Sequence, residues 1–139
     1  MKVLADPLSH CMAQYLRKHP MSFDVIVPVP IHKQRLRERG YNQSSLLAKR
    51  LGYMIRKPVV EGDLLRTKHT PSQAKSASLD QRRTNIRNAF NCIGSDLTGK
   101  RVLLIDDVCT SGSTLDSCAI SLKKAGATSV LGLTLAKEI

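Results

Sequence analysis

Val102-Leu-Leu-Ile-Asp-Asp-Val-Cys-Thr-Ser-Gly-Ser-Thr114 is the stretch whose reading decides the fold. Val102–Ile105 is an unbroken aliphatic run, the pattern of a strand buried on both faces at the centre of a parallel sheet. Asp106 and Asp107 follow at the carboxyl end of that strand, the edge at which α/β sheets place their ligands. Two adjacent carboxylates are not ordinary core residues, because desolvating charge is costly. They are acceptors, suited to vicinal hydroxyls or, through water, to Mg²⁺. Thr110-Ser111-Gly112-Ser113-Thr114 then turns directly into a helix predicted over Ser113–Ala125. Hydroxyls, backbone N–H groups and the helix dipole together make an anion site there, and Gly112 permits close approach of the backbone. Acceptors for sugar hydroxyls beside donors for a phosphate describe a ribose 5-phosphate. A solvated acidic turn accounts for a lone Asp or a lone Ser-Gly pair, but poorly for the full order.

Working outward, Leu115, Cys118, Ala119 and Leu122 share one face of the predicted helix, which ends at Gly126 in the C′ position. Val130–Leu135 reads as the last strand. Strand–helix–strand requires a parallel crossover, so the fold class is α/β with a mainly parallel central sheet flanked by helices. Toward the N-terminus, Gly94–Lys100 is a turn, Ala89–Ile93 a strand and Leu64–Leu65 a short strand. Leu46, Leu47, Leu51 and Met54 predict a helix over 43–55, with Asn42 as its N-cap. Asp24–Val29 is a buried strand closed by Pro28 and Pro30, and residues 3–18 have near-helical apolar spacing. Residues 31–40 read as a basic loop ending at Gly40. Residues 67–77 lack periodicity and read as a mobile arm. Ser78–Gln81 has the form of a capping box opening a short helix through Arg83. No repeat and no domain boundary is evident, so 1–139 is expected to be a single domain.

Composition narrows the function classes. With 139 residues, 42% hydrophobic and 24% charged, the chain can bury a core without disulfides or metals. It has no Trp, three Tyr and two Phe, too few aromatics for base stacking as a main mode. No apolar run approaches the roughly 20 residues of a membrane span, and MKVLADPLSHC does not read as a signal peptide. Cys11, Cys92, Cys109 and Cys118 form no C-x-x-C pair, so free thiols in the cytoplasm are expected. Cys109 reads as a packing residue. Net charge is +11, and residues 33–87 hold 14 Lys/Arg against four acids. Such a concentration suggests an anionic partner, nucleic acid or polyphosphate.

The 102–114 segment resembles the signature of the type I phosphoribosyltransferases, which bind phosphoribosyl pyrophosphate (PRPP). That resemblance implies that Asp106 and Asp107 meet the ribose hydroxyls as the catalytic pair. It implies that Thr110, Ser111, Gly112, Ser113 and Thr114 wrap the 5-phosphate, and that Mg²⁺ arrives with PRPP. A receiver domain also has an acidic cluster after a strand, but it needs a phospho-acceptor Asp further on, and the order here excludes it.

The resemblance narrows with Val27-Pro-Val-Pro-Ile-His32, Arg35-Leu-Arg37-Glu-Arg39-Gly40-Tyr-Asn42-Gln43, Leu47-Ala48, Leu65-Arg66, Gln73, Arg83, Asn85 and Ala89-Phe90. In that order these are similar to the ComF/GntX family of cytoplasmic phosphoribosyltransferase-like proteins, over roughly residues 24–136. The family implies a role in natural competence and the handling of incoming single-stranded DNA. It also implies a pyrophosphate loop from Pro28, Val29, Pro30, Arg35, Arg37 and Arg39. The three arginines alternate, so in an extended loop they would point one way. Arg66 and Gln73 would belong to a flexible loop closing over PRPP, with His32 and His69 nearby. Many members carry an N-terminal four-cysteine zinc ribbon, which is not seen here, so a short form or an isolated catalytic-type domain is expected. No nucleobase pocket is recognisable in the sequence. Two alternatives stay open: a non-catalytic single-stranded nucleic-acid module with a PRPP sensor pocket, and a nucleotide salvage enzyme with no DNA role. The oligomeric state is open too, a dimer included.

Overall fold

The computed structural model describes residues 5–67, 90–109 and 112–137. In chain order the elements are α1 (Ala5–Lys18), β1 (Val25–Pro28), α2 (Lys33–Arg39), α3 (Gln43–Ile55), β2 (Leu64–Arg66), β3 (Phe90–Cys92), β4 (Arg101–Cys109), α4 (Ser113–Lys124) and β5 (Ser129–Lys137). The three strands β1, β4 and β5 form a parallel sheet in the order β1-β4-β5. Val59 extends it by an isolated parallel bridge to Ile26. Antiparallel β2 and β3 form a separate ribbon.

Strand alternation sorts the core into two layers. Val25, Val27, Val102 and Leu104 face α4, through Cys118 and Leu122, and the β-ribbon, through Leu64 and Phe90. Ile26, Leu103 and Ile105 face α1 and α3, through Met12, Leu16, Leu47 and Leu51. Val102–Ile105 are fully buried, which is why a double-sided aliphatic run is needed at this point. Helix α1 lies close on α3: the buried Ser9 Oγ donates to the Leu47 carbonyl at 3.4 Å. At the amino edge of the sheet, Asp24 accepts from the Arg101 backbone N–H at 2.8 Å and from its guanidinium Nη2 at 2.9 Å. The Arg101 side chain holds that carboxyl well below the usual carboxylate range.

The predicted helices at 43–55 and 113–125, and the strands β1 and β2, are found within a residue or two. Asn42 caps α3 as expected, accepting from the Ser44 N–H at 3.1 Å. Strands β4 and β5 both run past their apolar stretches, paired to each other as far as Cys109↔Lys137. The reading of residues 31–40 as a loop is overturned. Residues 33–39 are helix α2, not a loop. His32 caps it by accepting from the Gln34 N–H at 3.2 Å, and Gly40, at φ 81°, closes it with its N–H on the Leu36 carbonyl. A helix turns about 100° per residue, so positions 35 and 39 share one side and position 37 lies nearly opposite. The common direction expected of Arg35, Arg37 and Arg39 is therefore lost. The capping box at Ser78–Gln81 and the arm from 68 to 77, including His69, lie outside the described residues.

After α3 the chain doubles back so tightly that a Cβ on Gly52 would stand 2.6 Å from Val59 Cγ2 and 2.8 Å from the Lys57 carbonyl. Gly52→Ala is therefore expected to destabilise the domain by about 1–3 kcal/mol, read as a lower urea midpoint. An unchanged midpoint would show that the 57–59 segment yields freely.

Candidate functional site

The site forms at the carboxyl end of the sheet, where β4 runs past β1 while still paired to β5. Asp106 is only 9% exposed. Its Oδ1 accepts two hydrogen bonds, from Ser44 Oγ at 3.1 Å and from the Asp107 N–H at 3.0 Å. Burial, with neighbouring Asp107, pushes the Asp106 carboxyl up to about 6, against the opposing pull of the two donors. Asp107 is half-buried, and its carbonyl accepts from Thr134 Oγ1 on β5 at 3.3 Å. The pair is thus anchored to α3 on one side and to β5 on the other.

Five residues after Asp107, Gly112 sits at φ 81° as the N-cap of α4, and its carbonyl accepts from the Asp116 N–H at 2.9 Å. The left-handed backbone is the reason for glycine here; a Cβ would meet no protein atom within 4 Å. Ser113 and Thr114 occupy the first turn and are partly exposed. The structure thus brings Asp106, Asp107, Gly112, Ser113 and Thr114 to one edge of the sheet. Thr110 and Ser111 lie outside the described residues.

The 28–32 segment lies beside the end of β4. Val29 donates its N–H to the Ile105 carbonyl at 2.8 Å, and its own carbonyl accepts from Asn42 Nδ2 at 3.1 Å. Pro28, Val29 and Pro30 therefore run from β1 alongside the end of β4 and are tied to the start of α3. Arg37 and Arg39 are exposed on α2, and Arg39 stacks its guanidinium over Tyr41, 5.5 Å from the ring centroid; of Arg35 only the backbone is described. Arg66 is not in a loop: it pairs with Phe90 in the β-ribbon and lies over that ring at 5.4 Å. Gln73 lies outside the described residues.

Two features escaped the sequence. Ser44 is buried at the first turn of α3 and bonds a residue 62 positions away. Its neighbour Gln43 is also buried, with Oε1 lacking a hydrogen-bond partner among the described residues. Beside the 28–31 segment there is also a cavity of about 430 Å³, walled by Val27, Pro30, Leu36 and Leu64, with Ser45 and Lys49 at its polar side. Glu61 accepts from Ser45 Oγ and pairs with Lys49 at 3.3 Å. Cys11, Cys92 and Cys118 are free thiols, and burial pushes the Cys118 thiol far up. Among the described residues no helix is long and apolar enough to cross a membrane.

A carboxylate pair near the end of a central parallel strand is thus followed by a glycine-opened helix. Residues 4–138 match the model of the phosphoribosyl transferase domain. The chain belongs to this family.

Competence protein F of Haemophilus influenzae is 36% identical over 128 residues, 90% of this chain and 56% of that protein. DNA utilization protein YhgH of Escherichia coli K12 is 35% identical over 77% of this chain and 46% of its own length. Competence protein ComFC of Bacillus subtilis is 30% identical over 89% and 49%. The resemblance to the ComF/GntX family is thus found in named relatives, and the chain spans about half the length of those it matches. Among solved structures, the glutamine PRPP amidotransferase of B. subtilis superposes with a TM-score of 0.65 at 20% identity, over 96% of this chain and 26% of that one. An adenine phosphoribosyltransferase of Thermoanaerobacter pseudethanolicus gives 0.61 at 19%, over 95% and 67%. The fold is that of the type I phosphoribosyltransferases.

The raised Asp106 carboxyl has a direct consequence for stability. Its folded value of about 6 lies above the ordinary 3.8, so between those two values the folded chain binds the proton more tightly than the unfolded chain does. Its effect therefore favours folding as pH falls through that window and opposes folding above about 6. Asp106→Asn keeps an oxygen for both donors and removes the buried charge. At pH 7 it should raise the melting temperature of the ligand-free protein by about 5 °C, with little gain at pH 4. Calorimetry at the two pH values checks this, and a lower melting temperature at pH 7 would contradict it.

Proposed function

We propose that this chain binds PRPP, with Mg²⁺, as a phosphoribosyltransferase-like protein of the ComF type, acting in natural competence and the handling of incoming single-stranded DNA. The observation that carries the ligand assignment is Asp106. A carboxylate kept buried at the end of the central strand, at a cost to folding, needs a compensating use, and hydroxyl donors from a ribose supply one. The names of the relatives, competence and DNA utilization proteins, support the cellular setting.

In this reading the 5-phosphate lies against the start of α4, where Gly112 admits close approach and Ser113 and Thr114 offer hydroxyls. Asp106 and Asp107 hold the ribose hydroxyls. The 28–32 segment, beside the end of β4, faces the pyrophosphate. An all-oxygen pair of carboxylates suits a hard cation that keeps much of its water and substrate oxygen; Mg²⁺ bound with PRPP supplies neutralising charge for the pyrophosphate. The reaction class is cleavage of the bond from ribose C1 to the pyrophosphate oxygen. The bonding pair leaves with pyrophosphate, and an acceptor's lone pair forms the new bond at C1. As positive charge develops on the ribose, the two fixed carboxylates stabilise it. The cytoplasm is the proposed location.

Isothermal titration with PRPP and Mg²⁺ tests the assignment. The Asp106→Asn, Asp107→Asn double variant should bind several-fold more weakly or worse while still unfolding in one cooperative thermal transition. Unchanged affinity would remove the assignment. Measuring pyrophosphate release in parallel separates an enzyme from a sensor, because a sensor binds without turnover.

A further inference from the structure

The opposite end of α3 carries a second feature that the phosphoribosyl site does not use. Helix α3 starts beside Asp106, through Ser44, and runs about 20 Å to Ile55. Its far end lies at the amino edge of the sheet, where the Pro58 carbonyl accepts from the Ile26 N–H at 2.9 Å. There α1 and α3 leave a cleft of about 740 Å³ whose lining includes His10, Arg17, Tyr53, Arg56 and Lys57 and, among the described residues, no acidic one.

Three properties of this cleft point to one kind of ligand. Lys57 is fixed at its wall, donating from Nζ to the Phe23 carbonyl at 3.1 Å and lying over the Phe23 ring. Arg17 and Arg56 are exposed and have no carboxylate partner among the described residues. Asp24, at the same edge of the sheet, is already engaged by Arg101. Tyr53, in the same lining, is 86% exposed, the highest among the large apolar side chains of the described residues. Arg56 itself sits at φ 58° closing α3, in the left-handed region where glycine is the usual residue. A guanidinium is therefore presented from a position that the backbone would give to glycine. The carboxyl end of a helix carries partial negative charge, so any attraction for an anion here comes from the side chains alone.

We infer that this cleft is a binding site for single-stranded nucleic acid, with Arg17, Arg56 and Lys57 on consecutive phosphodiesters and a base stacked on Tyr53. Cations that track a backbone beside an aromatic platform form the sequence-tolerant mode of strand recognition. The inference deepens the proposed role in DNA handling and locates the strand away from the PRPP edge. It also moves the contact from the basic middle of the chain as a whole to one cleft, which α1 shares.

Fluorescence anisotropy with a labelled oligothymidylate, across a salt series, tests it. Three phosphate contacts predict a slope of log affinity on log salt of about −2. Arg17→Ala with Arg56→Gly should weaken binding by about tenfold or more and flatten the slope by about 1.4. Glycine suits the backbone at position 56, so misfolding would not explain the loss. Tyr53→Ala should weaken binding by at least about fivefold with the slope retained. PRPP titration on the same variants should be unchanged, which separates failure here from failure of the phosphoribosyl reading. Oligonucleotide binding left intact in these variants would overturn the inference. So would no binding by the unaltered chain at low salt, or displacement by polyglutamate of equal charge with Tyr53→Ala harmless.

Discussion

Strand β4 is hydrogen-bonded on both sides, by β1 and β5, and covered on both faces by helices and the ribbon. Among the described residues no other strand is enclosed so completely. Enclosure dictates the four aliphatic residues from Val102 to Ile105, and it dictates what happens next. The strand continues beyond the cover at its carboxyl end, and the first residue past the aliphatic run is a carboxylate that remains buried. Ser44 and the Asp107 N–H relieve only part of the cost of that charge. The same strand thus sets the core, the direction of the chain into α4, and the electrostatic tension at its edge.

How far the sequence discloses this depends on whether a feature is local. The 102–114 stretch was legible because each of its parts is contiguous: an aliphatic run, an acidic pair, a glycine before a helix. Helix α3 was legible because its leucines recur at helical spacing and Asn42 is a strong cap. Helix α2 was not. Leu36 is its sole apolar residue, so it has no amphipathic period, and His32 is an unusual capping residue. The Ser44–Asp106 bond was invisible for another reason: its partners lie 62 positions apart, and no local pattern encodes the meeting. Strands β4 and β5 outran their apolar segments because mutual pairing carries backbone through polar residues such as Asp106 and Thr134.

The charge distribution teaches a similar lesson. Residues 33–87 hold most of the excess positive charge, yet the fold does not keep it together. Arg37 and Arg39 lie on α2, near the site edge. Lys49 is paired with Glu61 part-way along α3. Arg56 and Lys57 lie at the far end, where they meet Arg17 from outside the segment. A block of charge in a sequence is a patch on a surface only if the chain stays in place, and α3 carries it from one end of the sheet to the other.

The tight return after Gly52 bears on how the two ends of α3 relate. With Val59 and the Lys57 carbonyl standing where a methyl group would go, the chain has no room to wander as it leaves α3 and returns at once to the sheet, where Pro58 and Val60 bond to Ile26 of β1. The amino end of the same helix is tied to β4 through Ser44 and Asp106. Both ends of α3 are thus moored to one sheet, and the sheet sets the span between them.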